Sequence, residues 1–497
     1  MSDGSSNEAP DTEGAPESIG RFLGDPPGPQ SNENPEVIRP NDPGAQATVD
    51  PFNLFSPPLA EPSIPPASTQ FATARSNFGS NARSLAGIGT AAGLASVPFM
   101  IGDTNAGTCF ALRGLVNANI GHPTLTCSRL NISENNTALP VDRVYTSYRH
   151  FHNATELQVF QVSESFNTDR LVLGFEKTFF GGLMSVETRI PVERRLTSDG
   201  IGIVDPSGSG FVDLVTADDY EIGLGNLSVI TKGLLLNTSN LVWSGGLGVT
   251  LPTARDVRYQ LATNVVTPNN LVPLLAAQTI ATFDFQYENE TVYLSPFLSW
   301  LWSPDQSRWF HQGFLQVEVA ANPSTLTTTA AGTSLFFSNT APPVFLGDNT
   351  FLSGAPANAA APAEPVDSDV FAQTLMRLNL GVGYEFLRPR DGRRIRSARA
   401  LFELHYTATL QRANQSLVPI TNFVTVADPS LTPLLPFLIQ DTNVGNAEPH
   451  THLLNAAAGL SFDIGRFTIT NGVAAPLREA PDRGFDFEYN LQVQMLL

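Results

Sequence analysis

Charge, and lysine above all, is what this chain has least of. Charged residues make up 15% of its 497 residues, and lysine occurs only at Lys177 and Lys232. Lys plus Arg number 28 against 47 for Asp plus Glu, a formal charge of −19. That balance excludes a nucleic-acid binder, which needs a basic stripe, and a peripheral protein held on an anionic leaflet. Long apolar runs are absent too: the nearest, 85–101, is built mostly of Gly, Ala, Ser and Thr. Membrane-spanning helices are therefore excluded, since each needs about 20 apolar residues. With 39 Gly and 38 Pro, a helix-rich enzyme is equally disfavoured. A β-rich or largely disordered chain is what remains. Cysteine is scarce as well. Cys109 and Cys127 belong to no CxxC or Cys/His pattern. They read either as one local bridge of an oxidising compartment, worth about 3 kcal/mol, or as two unrelated buried thiols.

Residues 1–84 hold eleven acids and four arginines among patches such as Pro57-Pro58. Such a tail buries too little apolar surface to offset its ordering entropy and is expected to be disordered. Acids follow Met1 where a secretory signal would place a basic region and an apolar core. A weak signal-like pattern does occur internally, where Arg75 and Arg83 precede 85–96. It reads as a start downstream of Met1, a short helix near 85–100, or a plug element. The expected division is a tail at 1–84, a plug or linker carrying the cysteine pair at 85–141, and a barrel at 142–497.

The barrel expectation comes from alternation. From Phe485 to Leu497 the odd positions are Phe485, Phe487, Tyr489, Leu491, Val493, Met495 and Leu497, separated mainly by Asp, Glu, Asn and Gln. A strict period of two gives one apolar and one polar face. Residues 375–386, 398–411, 453–464, 466–473 and 183–193 repeat the pattern. Weaker runs lie at 143–152, 171–180, 226–236, 241–251, 291–302 and 309–320, making twelve in all. Runs of about 10 to 13 residues exceed the usual strand of a soluble sandwich and match tilted strands crossing a bilayer.

Short and long connections alternate. Gly181-Gly182, 237–240, 303–308, 388–397 and Gly465 are short, whereas 153–170, 193–225, 252–290, 321–374 and 412–452 are long. A transmembrane barrel segregates its loops in this way, with short turns on the periplasmic side. All four tryptophans (Trp243, Trp300, Trp302 and Trp309) lie within a few residues of a short turn, where an interfacial aromatic belt belongs. The fold class expected is all-β: an antiparallel up-and-down transmembrane barrel of about 12 strands behind a disordered N-terminal tail.

Several stretches also carry a family likeness. They are 133–152, 170–180 with 185–189, Gly225-Asn-Leu-Ser-Val, Gly246-Leu-Gly-Val-Thr-Leu-Pro-Thr, and Ser299-Trp-Leu-Trp-Ser-Pro-Asp with Gln312-Gly-Phe-Leu-Gln. Over residues 97–497 the chain resembles the outer-membrane β-barrel proteins of planctomycete bacteria, a family often described as transporters. More distantly it is similar to barrels that pass small aromatic or apolar compounds. The resemblance implies an integral outer-membrane protein with its N-terminal tail in the periplasm. Its partners would be outer-membrane lipids, small solutes and the barrel-assembly machinery, with no nucleic acid and no cofactor.

If the apolar faces meet lipid, the polar faces line the lumen. They carry Glu187, Arg189, Arg377, Glu385, Arg399, Glu403, His405, Asp463, Asp486 and Glu488. Opposed acids and arginines set up a transverse field that selects solutes, or else they only brace a narrow barrel. The function expected is a passive pore for small solutes across the outer membrane. Alternatives are a structural or adhesive barrel with a closed lumen and a lipid-active enzyme. An enzyme is disfavoured. His405 has Glu403 beside it but only Thr407 as a hydroxyl, and His311 sits at the periplasmic end. His150 and His152 make at most a weak metal pair. No GxSxG, HExxH, P-loop or strand–turn–helix GxGxxG occurs. Five arginines in the 388–396 turn read as a solvated turn or as a contact for anionic lipid or periplasmic partners.

Overall fold

The computed structural model describes 96–102, 110–113, 118–120, 129 and 131–497, the last with breaks at 160–161, 195–200, 205–209, 217–221, 269–274, 305–306, 339–341, 355–357, 389–394, 413, 427–441, 446–449 and 480–481. Cys109, Cys127 and the tail 1–84 lie outside the described residues, as do 85–95 of the expected short helix; Ser96–Met100 is not helical.

Twelve antiparallel strands form a closed ring. They are β1 Arg143–Val159, β2 Val162–Phe179, β3 Met184–Arg194, β4 Leu227–Asn237, β5 Leu241–Leu251 and β6 Tyr293–Trp302, followed by β7 Trp309–Ala320, β8 Leu375–Leu387, β9 Ile395–Thr409, β10 His452–Ile464, β11 Phe467–Pro476 and β12 Phe487–Leu496. Each pairs with the next, and β12 pairs back onto β1 from Phe487↔His152 to Leu496↔Arg143. Closure removes every edge from the ring, which a structure facing lipid requires. Along each strand buried and exposed positions alternate: in β8 Arg377, Asn379 and Glu385 are buried while Leu380 and Phe386 are exposed. The twelve runs read from the sequence are these twelve strands.

The short turns are tight because their backbone is left-handed. Gly181 (φ 67°) and Gly182 join β2 to β3, and Gly465 (φ 65°) joins β10 to β11. Glycine adopts this conformation without the Cβ clash that other residues meet.

The connections expected to be long loops are largely strand. Residues 153–170 are the upper half of one hairpin, with β1 and β2 paired as far as Val159↔Val162. The other long connections pair into an eight-stranded sheet beyond the ring, in the order 420–426, 345–353, 324–338, 275–287, 257–268, 210–216 and 201–204, with 366–370 on 324–338. Part of their pattern escaped notice because threonine stands on both faces: Ser324–Ser338 reads STLTTTAAGTSLFFS, with Leu326, Thr328 and Ala330 buried. Thr-rich runs suit a pleated surface without announcing an apolar face.

Inward-facing aromatics lie over glycines of the neighbouring strand: Tyr145 over Gly174, Phe297 over Gly246, and Phe310 over Gly383. A Cβ at Gly174 or Gly383 would fall 2.0 Å from the ring. Flattened against the wall, these rings leave the axis of the barrel to another part of the chain.

Candidate functional site

That part is the chain's own N-terminal region. Ser96 enters at the short-turn end, where its hydroxyl bonds Asp463 and Arg399. Residues 96–102 then ascend the lumen. Phe110–Arg113 and Ala118–Ile120 form a hairpin at the long-loop end, paired to Leu157–Val159 of β1 and to Thr442–Gly445. Residues 129 and 131–141 mark the way down again to Asp142, just before β1 begins. The two passes touch through Met100 N–H donating to Asn136 O at 2.9 Å. Phe99, Met100, Ile101, Ile132 and Ala138 are all buried. Ile101 packs with Val242, Leu301, Phe310 and Leu401, and Met100 with Ile132, Ile230, Phe297 and Phe314.

Most of the grip is polar. Glu403 accepts the backbone N–H of Ile101 and of Gly102 at 2.8 and 3.0 Å. Arg149 donates to Ile101 O at 2.7 Å, to Gly102 O at 3.1 Å and to Glu134 at 2.8 Å, and also pairs with Glu488. Arg189 donates to the carbonyls of Asn131 and Ile132 at 3.0 and 3.2 Å. Lys232 reaches Asn136 Oδ1 and Thr137 O at 3.0 and 2.9 Å. Arg143 donates to Asn135 O at 2.6 Å and lies 4.7 Å over the Phe99 ring. Arg129 pairs with Glu318, which also holds Arg377 at 3.2 Å. Buried charges are tolerable only when paired and hydrogen-bonded in this way.

Of the residues expected to line the lumen, Glu187, Arg189, Arg377, Glu385, Arg399, Glu403, His405, Asp463 and Glu488 are all buried. Asp486 is not. It stands half-exposed at the upper rim, bonded to Asn153 and Arg483, because the strand begins only at Phe487. Phe485 departs from the alternation with it and is buried against Phe151, ring centroids 5.6 Å apart. The sequence reading missed Arg143, Arg149, Arg170, Glu176, Lys232 and Glu318, all buried. Their signal was present at every second position, but inward aromatics such as Tyr145 and Phe314 interleave with them. A face that is half apolar looked like poor alternation.

His405 sits in the wall with Nε2 3.0 Å from Glu403 and Nδ1 2.8 Å from Asn379. His150 and His152 lie on the outward side of β1, and His150 is 2.8 Å from Asp169. Among the described residues no group of three or more His, Cys, Asp or Glu side chains is placed to hold a metal ion. At the short-turn rim Asp142 accepts Lys177 Nζ at 2.7 Å and both N–H and O–H of Thr178 at 2.6 Å. Partial burial alone would raise its carboxyl, but these donors outweigh it and hold the group below the usual carboxylate range.

The outward side is mostly apolar, with Leu173, Phe175, Leu298, Phe402, Leu460 and Val473 exposed. All four tryptophans face outward near the short turns. Trp243 lies 5.7 Å from Trp300, Trp302 lies 5.5 Å from His311, and Trp309 lies 4.7 Å from Tyr384.

The fold is a transmembrane β-barrel filled by its own chain. No family model matches the sequence, and no curated protein matches it. Solved structures similar to it include the β domain of the Bordetella autotransporter BrkA, at 10% identity and a TM-score of 0.33, covering 72% of this chain and 100% of that one. The Ralstonia pickettii toluene transporter TbuX matches at 11% identity and a TM-score of 0.30, covering 73% and 91%. The translocator domain of the autotransporter NalP from Neisseria meningitidis matches at 9% and 0.30, covering 74% and 91%. Scores this low carry no argument about activity, and none of these proteins points to the planctomycete family in particular.

Proposed function

We propose that this chain is an integral outer-membrane barrel that passes small solutes when the lumen segment, 96–102 with 129 and 131–141, is displaced and is shut when it is seated. The short turns face the periplasm, with the tryptophans at that interface. One observation carries the reading: beside its apolar side chains, the wall around the seated segment buries fourteen described charged ones. A lumen filled for good would be served as well or better by apolar side chains, because buried ion pairs replaced by well-packed hydrophobics are often neutral or stabilising. An ionised wall has a use when water replaces the segment. Catalysis forms no part of the proposal, and both ring nitrogens of His405 are engaged.

A second reading has its own support. The eight-stranded sheet beyond the ring offers a large surface on the long-loop side, as a structural or adhesive barrel with a permanently closed lumen would. Conductance of the full-length protein in planar bilayers separates the two. The gated pore should show a closed baseline with discrete openings, more frequent in Glu134→Gln. A silent bilayer with both proteins would establish the closed-lumen reading.

A further inference from the structure

The ionised side chains buried in the wall are sorted by sector. Among the described side chains, β1 to β4 bury five basic groups, Arg143, Arg149, Arg170, Arg189 and Lys232, against two acids, Glu176 and Glu187. Strands β5 and β6 contribute no buried charge. From β7 to β12 stand five acids, Glu318, Glu385, Glu403, Asp463 and Glu488, against two basic groups, Arg377 and Arg399, leaving aside His405. Counted over the described side chains, one sector is thus net +3 and the other net −3, in a chain whose total is −19.

The seated segment is polarised to match. Towards the basic sector it turns the Glu134 carboxylate and the carbonyls of Ile101, Asn131, Ile132, Asn135 and Thr137. Towards the acidic sector it turns Arg129, the N–H groups of Ile101 and Gly102, and the Ser96 hydroxyl. Four contacts run the other way: Val97 O and the Ser96 hydroxyl accept from Arg399, Asn136 Nδ2 donates to Glu187, and Val141 N–H donates to Glu176. Glu134 and Arg129 make the segment an internal zwitterion laid across the lumen.

We infer that the solutes this barrel selects are small zwitterions, carrying a carboxylate or other anionic group and an ammonium on one molecule. The inference rests on the gated-pore reading. A solute with both charges satisfies both sectors at once, whereas an anion or a cation meets attraction on one side and repulsion on the other. A neutral solute gains from neither. In a wet lumen one unit-charge contact near 4 Å is worth about a fivefold preference.

The test is entry into liposomes carrying the full-length protein, wild type and the segment variant Arg129→Gln/Glu134→Gln, followed by osmotic swelling. The probes are similar in size: diglycine (zwitterion), N-acetylglycinamide (neutral), N-acetylglycine (anion) and glycylglycinamide (cation). Diglycine should enter about fivefold faster than each of the others. The wall variant Glu318→Gln/Glu403→Gln should erase its advantage over N-acetylglycine. Entry without preference for diglycine would overturn the inference and leave the pore standing. Exclusion of all four probes from both proteins would overturn the pore and the inference with it. If the wall variant loses the heat-dependent gel shift of a closed barrel, the four probes on wild type decide the matter alone.

Discussion

Arg149 of β1 donates through Nε to Glu134 of the lumen segment at 2.8 Å, and both side chains are buried. The pair joins the barrel wall to the chain that fills it. Removing Glu134 leaves Arg149 still paired with Glu488, a loss smaller than the ~3–5 kcal/mol of a buried charge left without any partner. Glu134→Gln should therefore loosen 129–141 without opening the ring. Hydrogen–deuterium exchange should show faster exchange of amides in that segment, with β9 and β10 unchanged. Equal protection of the segment in both proteins would mean that Glu403 and Arg189 suffice to seat it.

Gly174 lies beneath the Tyr145 ring, where an added Cβ would stand 2.0 Å from the ring carbon. Tyr145 is also tied to Glu187 through its hydroxyl at 2.5 Å, so the ring has little freedom to swing away. Gly174→Ala should destabilise the barrel by about 1–3 kcal/mol through overpacking. The readout is a lower temperature for loss of the heat-dependent gel shift, with Gly181→Ala as a contrast, whose cost comes from a positive φ rather than from crowding.

Asp142 holds the end of the lumen segment to β2 through Lys177 and Thr178. Its carboxyl is depressed in the folded protein, so its stabilisation is complete above the unfolded carboxylate pKa. It is lost as pH falls through the folded value. Asp142→Asn should cost about 1 kcal/mol at neutral pH. Thermal melts of variant and wild type should converge in acid, below the usual Asp range. A gap that persists there would assign the cost to packing instead.

Topology is open to labelling in intact cells. An epitope inserted within 355–357, in the connection between β7 and β8, should bind antibody from outside. The same epitope at 305–306, in the turn between β6 and β7, should bind only after the outer membrane is permeabilised. The opposite result would invert the barrel.

The ring itself was legible in the sequence. Lipid outside and an ionised interior demand opposite chemistry on alternate residues, so 375–386 and 487–496 state their faces without help from their neighbours. The burial of Glu187, Arg189, Arg377, Glu385, Arg399, Glu403, His405, Asp463 and Glu488 follows from the same rule. Asp486 failed because alternation says nothing about where a strand begins.

What fills the lumen was decided by tertiary structure. Residues 96–102 and 129–141 have no period of their own; their backbone groups are satisfied by Arg149, Arg189 and Glu403, which are remote in sequence. Sequence also could not rank inward Tyr145 or Phe314 against inward Arg149 or Glu318, since an apolar ring faces inward only when the lumen holds protein rather than water. The long connections became a sheet for a related reason. Thr-rich strands such as Ser324–Ser338 gain their stability from partners on either side, and pairings in this sheet join residues as far apart as Gly347 and Val426. Local alternation therefore determined the membrane-facing ring. Long-range pairing alone determined that the ring is closed from within.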